Sequence, residues 1–342
     1  MESEPKKYKY ISIEDKVLDV MNHPAFKDFG FYLFPWNDKS RYSKSMTMKE
    51  VTSLNLWHTN LNPKEEVDGL NRLIDDINKG YKVFYDIYTE EEKKADPFKK
   101  YTGLFFLRGK KNAPYMIMLP GGGYFYVGTL HEGLPVIKEI NKYGYNTFVL
   151  KYRVDTGGNW TYDYENKAAK DLIRAVHFIE DHYQELEVSK DNYSLWGGSA
   201  GARTVSCAVY GEAGIDKKDC VKPALSVIAY VHFVEKLKFN KDDSPAFFIV
   251  GKKDLYVPWT NVKERAERMK KEGVVVEDYY IDNLEHGFGV DAMASAISSL
   301  IEDPSMASSL AQKATDIVGL LDINVIDKMW IDTFTKIIND GE

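Results

Sequence analysis

The sequence predicts an α/β fold, a mostly parallel central sheet with helices on both faces. Three observations predict it. From residue 81 onward, short and nearly continuous apolar runs recur, Tyr115-Met-Ile-Met-Leu119 and Ala246-Phe-Phe-Ile-Val250 among them, as expected of strands buried on both faces. Helical stretches separate most of these runs. Glycine-rich segments stand directly after two of the strands, and parallel sheets bind ligands beyond the carboxyl ends of their strands. At 342 residues the chain accommodates one large domain of this kind with an appendage.

Residues 1–80 differ in texture and read as a helical N-terminal extension, a candidate cap over the remainder, 81–342. Ile13–Met21 and Pro63–Asn78 are its helical patches. In the second, Val67, Leu70, Leu73, Ile74 and Ile77 share one face, and Gly80 is the stop signal. Phe29–Trp36 between them is aromatic; contact with a sugar or an acyl group is one reading and core burial the better one. Lys82–Tyr88 and Gly103–Leu107 read as an antiparallel pair. Strands follow at Tyr115–Leu119, Asn146–Tyr152, Tyr193–Trp196, Leu225–Tyr230, Ala246–Val250 and Val274–Ile281. A long helix over Tyr164–Leu186 buries Ala168, Leu172, Ala175, Val176 and Ile179. Asp291–Leu300, Ser308–Leu320 and Val325–Ile338 read as helical, with about 291–325 a candidate helical insertion.

The charge is acidic, 45 Lys plus Arg against 52 Asp plus Glu, a net −7. With no basic run, a nucleic-acid partner is not expected, because phosphate binding needs clustered Lys and Arg. No apolar stretch approaches the ~20 residues that span a bilayer, so no membrane partner is expected. The start MESEPKKYKY has no apolar core of a signal peptide, and a trimmed leader would look the same. Cys207 and Cys220 make no disulfide framework; the expectation is a cytoplasmic protein with free thiols. The seven histidines are scattered and none has metal-ligand spacing with Cys or carboxylates, so neither metal nor organic cofactor is expected. The sequence does not speak to oligomeric state.

The strongest chemical signal is Trp196-Gly-Gly-Ser-Ala-Gly201. It places G-x-S-x-G after a strand and before the helical run Ala202–Tyr210. A serine on so sharp a turn needs neighbours without bulk two positions away, and the turn lifts the Ser199 hydroxyl above the sheet. It also aims the Ala200 N–H, at a helix N-terminus, toward a reacting carbonyl oxygen. A second signal, Leu119-Pro-Gly-Gly-Gly-Tyr124, follows a strand and can supply further donors, the amides of Gly122 and Gly123. A phosphate loop fits poorly, since no Gly-Lys-Ser/Thr follows. Asp254, three residues past Gly251, can reach over the sheet edge to hold an imidazole, although such an aspartate alone is more often a turn residue. His286, in Leu284-Glu-His-Gly-Phe-Gly289 after the Val274–Ile281 strand, has Gly287 and Gly289 beside it and so lies on a loop, where a general base belongs; alone, it too would be read as structural. Each of the four follows a separate strand, in the order glycine loop, Ser, Asp, His.

On those residues the sequence resembles the α/β-hydrolase superfamily, with chain order Ser…Asp…His. More narrowly it resembles small serine esterases of the acetyl-xylan/feruloyl-esterase-like and hormone-sensitive-lipase-like groups. The likeness covers about residues 100–290. Pro120 stands where the lipase-like group often carries a histidine, which favours the xylan-esterase-like branch. The resemblance implies Ser199 as nucleophile, His286 as base, Asp254 as its partner, and an oxyanion hole of Gly122, Gly123 and Ala200. Tyr124, Tyr126, His131 and the Glu132-Gly133 pair sit near that loop, with Tyr124 and His131 taken as substrate-binding. Arg153 and Asp171 are read as a buried pair, and Ser194, Ser206 and Asp282 as structural. The expected function is hydrolysis of short-chain acyl esters, acetylated carbohydrate among them, through an acyl-enzyme, with a small-molecule ester as partner. Alternatives on the same fold are a serine peptidase, an acyltransferase, or an inactive hydrolase-like binding protein.

Overall fold

The computed structural model describes residues 7–58, 61–154, 162–233 and 236–288. The helical runs expected beyond residue 290, the candidate insertion 291–325 and Trp160 lie outside the described residues.

The amino-terminal segment is less helical than its composition suggests. Of Ile13–Met21 only Val17–Met21 (α1) is α-helical, because Lys16 bridges to Thr47 and the Val17 N–H bonds the Met46 carbonyl. Residues 24–54 turn through short 3-10 segments that bury Phe26, Leu33, Phe34 and Trp36. The aromatic run is thus core rather than part of the cavity described below. Pro63–Asn78 (α2) matches its expected range. The Asn62 side chain caps it, Pro63 opens it, and Gly80 follows its end at φ +85°. Glu90–Ala95 (α3) begins with a capping box between Thr89 and Glu92.

Among the described residues eight strands form one sheet in the order β1-β2-β4-β3-β5-β6-β7-β8. They are Phe84–Tyr85, Gly103–Leu107, Tyr115–Leu119, Asn146–Lys151, Tyr193–Gly198, Leu225–Ala229, Ala246–Gly251 and Val276–Ile281 in chain order. β1 and β2 pair antiparallel, as do β2 and β4; every other pairing is parallel. The intervening helices are Leu134–Asn141 (α4), Tyr162–Asp181 (α5), Tyr183–Leu186 (α6), Ala200–Tyr210 (α7) and Trp259–Lys271 (α8). All residues of β2, β3, β4 and β7 are buried, whereas β8 is mostly half-buried, as befits an edge. On α5, the five residues expected to face inward are all fully buried. The chain has the α/β-hydrolase fold.

The expected Arg153–Asp171 pair forms at the end of β4. The Arg153 backbone N–H and Nε donate to the carboxylate at 2.8 and 2.9 Å. Tyr88 also donates to it. Cys207 and Cys220 are free thiols. Among the described residues no helix is long and apolar enough to cross a membrane.

The amino-terminal segment shares one hydrophobic core with the sheet. Lys151, on β4, is wholly buried and its Nζ donates to the Phe34 carbonyl. Burial pushes its amine down to about 7, against roughly 10.4 in an unfolded chain. Between those values the unfolded chain holds a proton that the folded one has released, so stability rises with pH across this window. Urea midpoints of Lys151→Met and the parent chain, compared from pH 6 to 10, should show the parent gaining on the variant above about pH 7. A constant offset would contradict the assignment.

Candidate active site

The turn after β5 carries Ser199 at φ +50° and ψ −117°, a conformation that L-residues avoid. Its surroundings enforce it. The Ser199 N–H donates to the Ala229 carbonyl of β6 at 3.0 Å, and its own carbonyl accepts the Arg203 N–H at 2.9 Å as α7 starts. A Cβ on Gly201 would run into the Leu119 carbonyl, and one on Gly197 into the backbone of Ala202. The two outer glycines of the motif are therefore dictated by close backbone approach.

The loops after β5, β7 and β8 bring Ser199, Asp254 and His286 together. His286 Nε2 lies 2.9 Å from Ser199 Oγ, and His286 Nδ1 lies 2.7 Å from Asp254 Oδ2. The other oxygen of Asp254 accepts the N–H groups of Tyr256 and Val257, each at 2.8 Å. Both carboxylate oxygens are thereby engaged and its plane is held. Tyr230 and Tyr256 each pack edge-on to the His286 ring with centroids 5.2 Å away, which limits its rotation.

Ser199 and His286, with Tyr230 and Tyr256, face a cavity of about 270 Å³ lined also by Gly123, Ala200, Tyr124 and Trp57. Of the three expected amide donors, Gly123 and Ala200 line the cavity, while Gly122 lies one residue back from it. The glycine loop closes tightly, with Phe125 and Tyr126 both donating to the Gly122 carbonyl. Gly122 sits at φ +139°, where a Cβ would strike the Tyr126 carbonyl.

Of the two expected substrate-binding residues, Tyr124 lines the cavity and its hydroxyl lies 3.0 Å from the Thr204 hydroxyl. His131 sits apart from that cavity. It is buried, outside the cavity lining, and neither ring nitrogen has a hydrogen-bond partner among the described residues. Burial, and then the neighbouring His58, push its imidazole well below its ordinary range, so it is held neutral. The adjacent residue, Glu132, carries the polar contacts of this π-helical turn, Thr129–Gly133. Ser194 accepts from the Trp196 indole, Ser206 donates to Glu212, and Asp282 pairs with Lys252 on the surface; all three lie outside the cavity lining.

Sequence reasoning missed several wall residues. Tyr230, at φ +40° directly after β6, fits the rule that functional groups follow strands and was discoverable on that ground. Trp57 carried no such signal. It touches Gly123 on one side, its carbonyl abuts Gly287 on the other, and its ring stacks on Tyr126 at 5.7 Å. Arg203 and Glu165 add a charged wall, paired at 2.9 Å. Among the described residues no group of three or more His, Cys, Asp or Glu is disposed to hold a metal ion.

The family model BD-FAE matches residues 106–234, a span holding the glycine loop and Ser199 but neither Asp254 nor His286. The chain has no match among curated proteins. Among solved structures it is similar to MGS-M1, an alpha/beta hydrolase enzyme from a Medee basin deep-sea metagenome library, at 20% identity and TM-score 0.49, covering 64% of this chain and 93% of that one. An acetyl ester-xyloside bifunctional hydrolase from Caldicellulosiruptor lactoaceticus is similar at 19% identity and TM-score 0.48, covering 69% and 96%. A thermophilic esterase from Thermogutta terrifontis is similar at 18% identity and TM-score 0.46, covering 59% and 88%.

Proposed function

We propose that the protein is a serine carboxylic ester hydrolase acting on short-chain acyl esters, acetylated carbohydrate among them. The observation that carries this reading is the unbroken hydrogen-bond series Ser199–His286–Asp254 at the mouth of a cavity that Gly123 and Ala200 also line. In the proposed reaction His286 Nε2 takes the Ser199 proton as Oγ attacks the ester carbonyl. Asp254 holds Nδ1–H and stabilises the imidazolium. The amides of Gly123 and Ala200, with Gly122 behind them, face the developing oxyanion, and one such donor is worth about 3–4 kcal/mol of the barrier. His286 then protonates the leaving alcohol, and water, activated by the same imidazole, releases the acid.

The modest cavity supports a short acyl group. The Trp57 and Tyr256 rings, beside the Glu165–Arg203 pair, offer stacking and hydrogen bonding to a hydroxylated alcohol. The test is a panel of p-nitrophenyl esters from acetate to octanoate together with acetylated xylose, scored for acid release. The expected result is highest kcat/KM at acetate to butyrate and acetate release from the sugar. Absence of turnover across the panel, with no labelling of Ser199 by a fluorophosphonate, would overturn the reading. Preferential transfer to an added alcohol would make the protein an acyltransferase instead.

A further inference from the structure

Behind the glycine loop lies a buried carboxylate that the proposed reaction does not use. Glu132 is 4% exposed. Its Oε2 accepts the Gly121 N–H and lies 3.2 Å from His58 Nε2, and its Oε1 accepts the Tyr230 hydroxyl. Burial alone would push this carboxyl up, but the hydrogen bond and the charge of His58, then the donors from Tyr230 and Gly121, outweigh it and hold the group below its ordinary range. His58 Nδ1 lies 3.1 Å from the Tyr126 hydroxyl, so the imidazole is held at both ring nitrogens.

Each partner leads to a different wall of the site. Gly121 opens the loop that presents Gly122 and Gly123. Tyr230 packs on the His286 ring. His58 belongs to the amino-terminal segment and follows Trp57, which touches Gly123. The carboxylate also lies against the nucleophile turn, since a Cβ on Gly198 would collide with Glu132 Oε1 and the Tyr230 hydroxyl. Amide donors stabilise a developing charge only if their peptide planes are fixed beforehand. The Gly122 plane is held by the Gly128 N–H on the Gly121 carbonyl and the Gly123 plane by the Phe125 and Tyr126 N–H groups on the Gly122 carbonyl; the plane just before them is anchored by the Gly121 N–H, which ends on Glu132.

We infer that His58 and Glu132 are positioning residues for the oxyanion side of the site, so that the amino-terminal segment sets its affinity for the transition state. The inference rests on the hydrolase reading above. It assigns the work to an acceptor held in place, with no proton transfer by either group.

The test uses the full chain, p-nitrophenyl acetate as substrate and phenylboronic acid as a probe that forms a tetrahedral anion on the serine. Glu132→Ala should lower kcat about 100-fold, with KM within about threefold and boronate affinity falling in step with kcat. Glu132→Gln, which keeps an acceptor for Gly121, should recover most of the loss. His58→Phe should cost about tenfold in kcat. The inference is overturned by unchanged kcat in Glu132→Ala and His58→Phe, by boronate affinity that does not follow kcat, or by activity losses that match a smaller folded fraction in thermal melts. The parent chain separates the two levels. If it fails to hydrolyse the ester and its Ser199 resists a fluorophosphonate, the hydrolase reading falls and takes this inference with it. A working parent with unaffected variants removes the inference alone.

Discussion

Ser199→Ala should abolish ester turnover, by a factor on the order of a million in kcat, and leave the fold intact. In the proposed reaction the size of the effect follows from the loss of the covalent step. Without Oγ, His286 has no proton to take, and only the amide donors and the cavity remain to favour hydrolysis by water. Stability should hardly change, because Ala inherits the φ of +50° that Ser199 adopts and the hydroxyl's bond to His286 sits at the cavity edge. Ser199→Gly separates the two properties. Glycine adopts this conformation without penalty, so this variant should be as inactive as Ala yet more stable, by about 1–3 kcal/mol, the cost of holding an L-residue there. Urea denaturation with a p-nitrophenyl acetate assay measures both. Equal stability of the Gly and Ala variants would mean that the turn is not strained, and residual turnover within tenfold of the parent would assign the nucleophile elsewhere.

The second large effect is on stability. Glu212→Ala should cost about 3–5 kcal/mol, the usual result of removing one partner from a buried ionic group. Glu212 accepts from Arg203, Arg265 and Ser206, and all four side chains are buried. Truncation leaves two cations facing a void. Arg203 keeps Glu165 at 2.9 Å. Arg265 keeps its packing on Phe233 and Phe239 and a longer bond to Ser206, while its Nε and Nη1 already lack acceptors among the described residues. Burial lowers the Arg265 guanidinium from its ordinary value even with Glu212 present. Glu212→Gln, which retains an acceptor but no charge, should lose less than Ala. A urea midpoint for Glu212→Ala within experimental scatter of the parent would contradict this reading. Because Arg203 lies on α7, directly after Ser199, the Ala variant should also lose activity beyond its loss of folded protein.

How much of this was legible beforehand depended on whether a signal was local. The strands β3, β4 and β7 could be read because parallel strands buried on both faces are written as unbroken apolar runs. Ser199, Asp254 and His286 could be read because each carries glycine or a strand end beside it in sequence. The carboxylate network could not, because its partners are distant in the chain: His58 and Glu132 are 74 residues apart, Tyr230 and Glu132 are 98. His131 and Glu132 show the limit of resolution. They are adjacent, but one step along a helical turn swings a side chain by about 100°, and only the second meets the loop. The amino-terminal segment misled for another reason. Its first helical patch, Ile13–Met21, is cut back to Val17–Met21 by the pairing of Lys16 with Thr47, a partner distant in the chain.

Trp57 wedges between the loop that begins at Pro120 and the loop that carries His286. On the proposed ester hydrolysis, a lineage under pressure to accept a bulkier ester would therefore not have to disturb the sheet or its three aligned side chains. Exchanging residues around position 57 would widen the entrance from outside, and the substrate repertoire could drift while the reaction stayed the same.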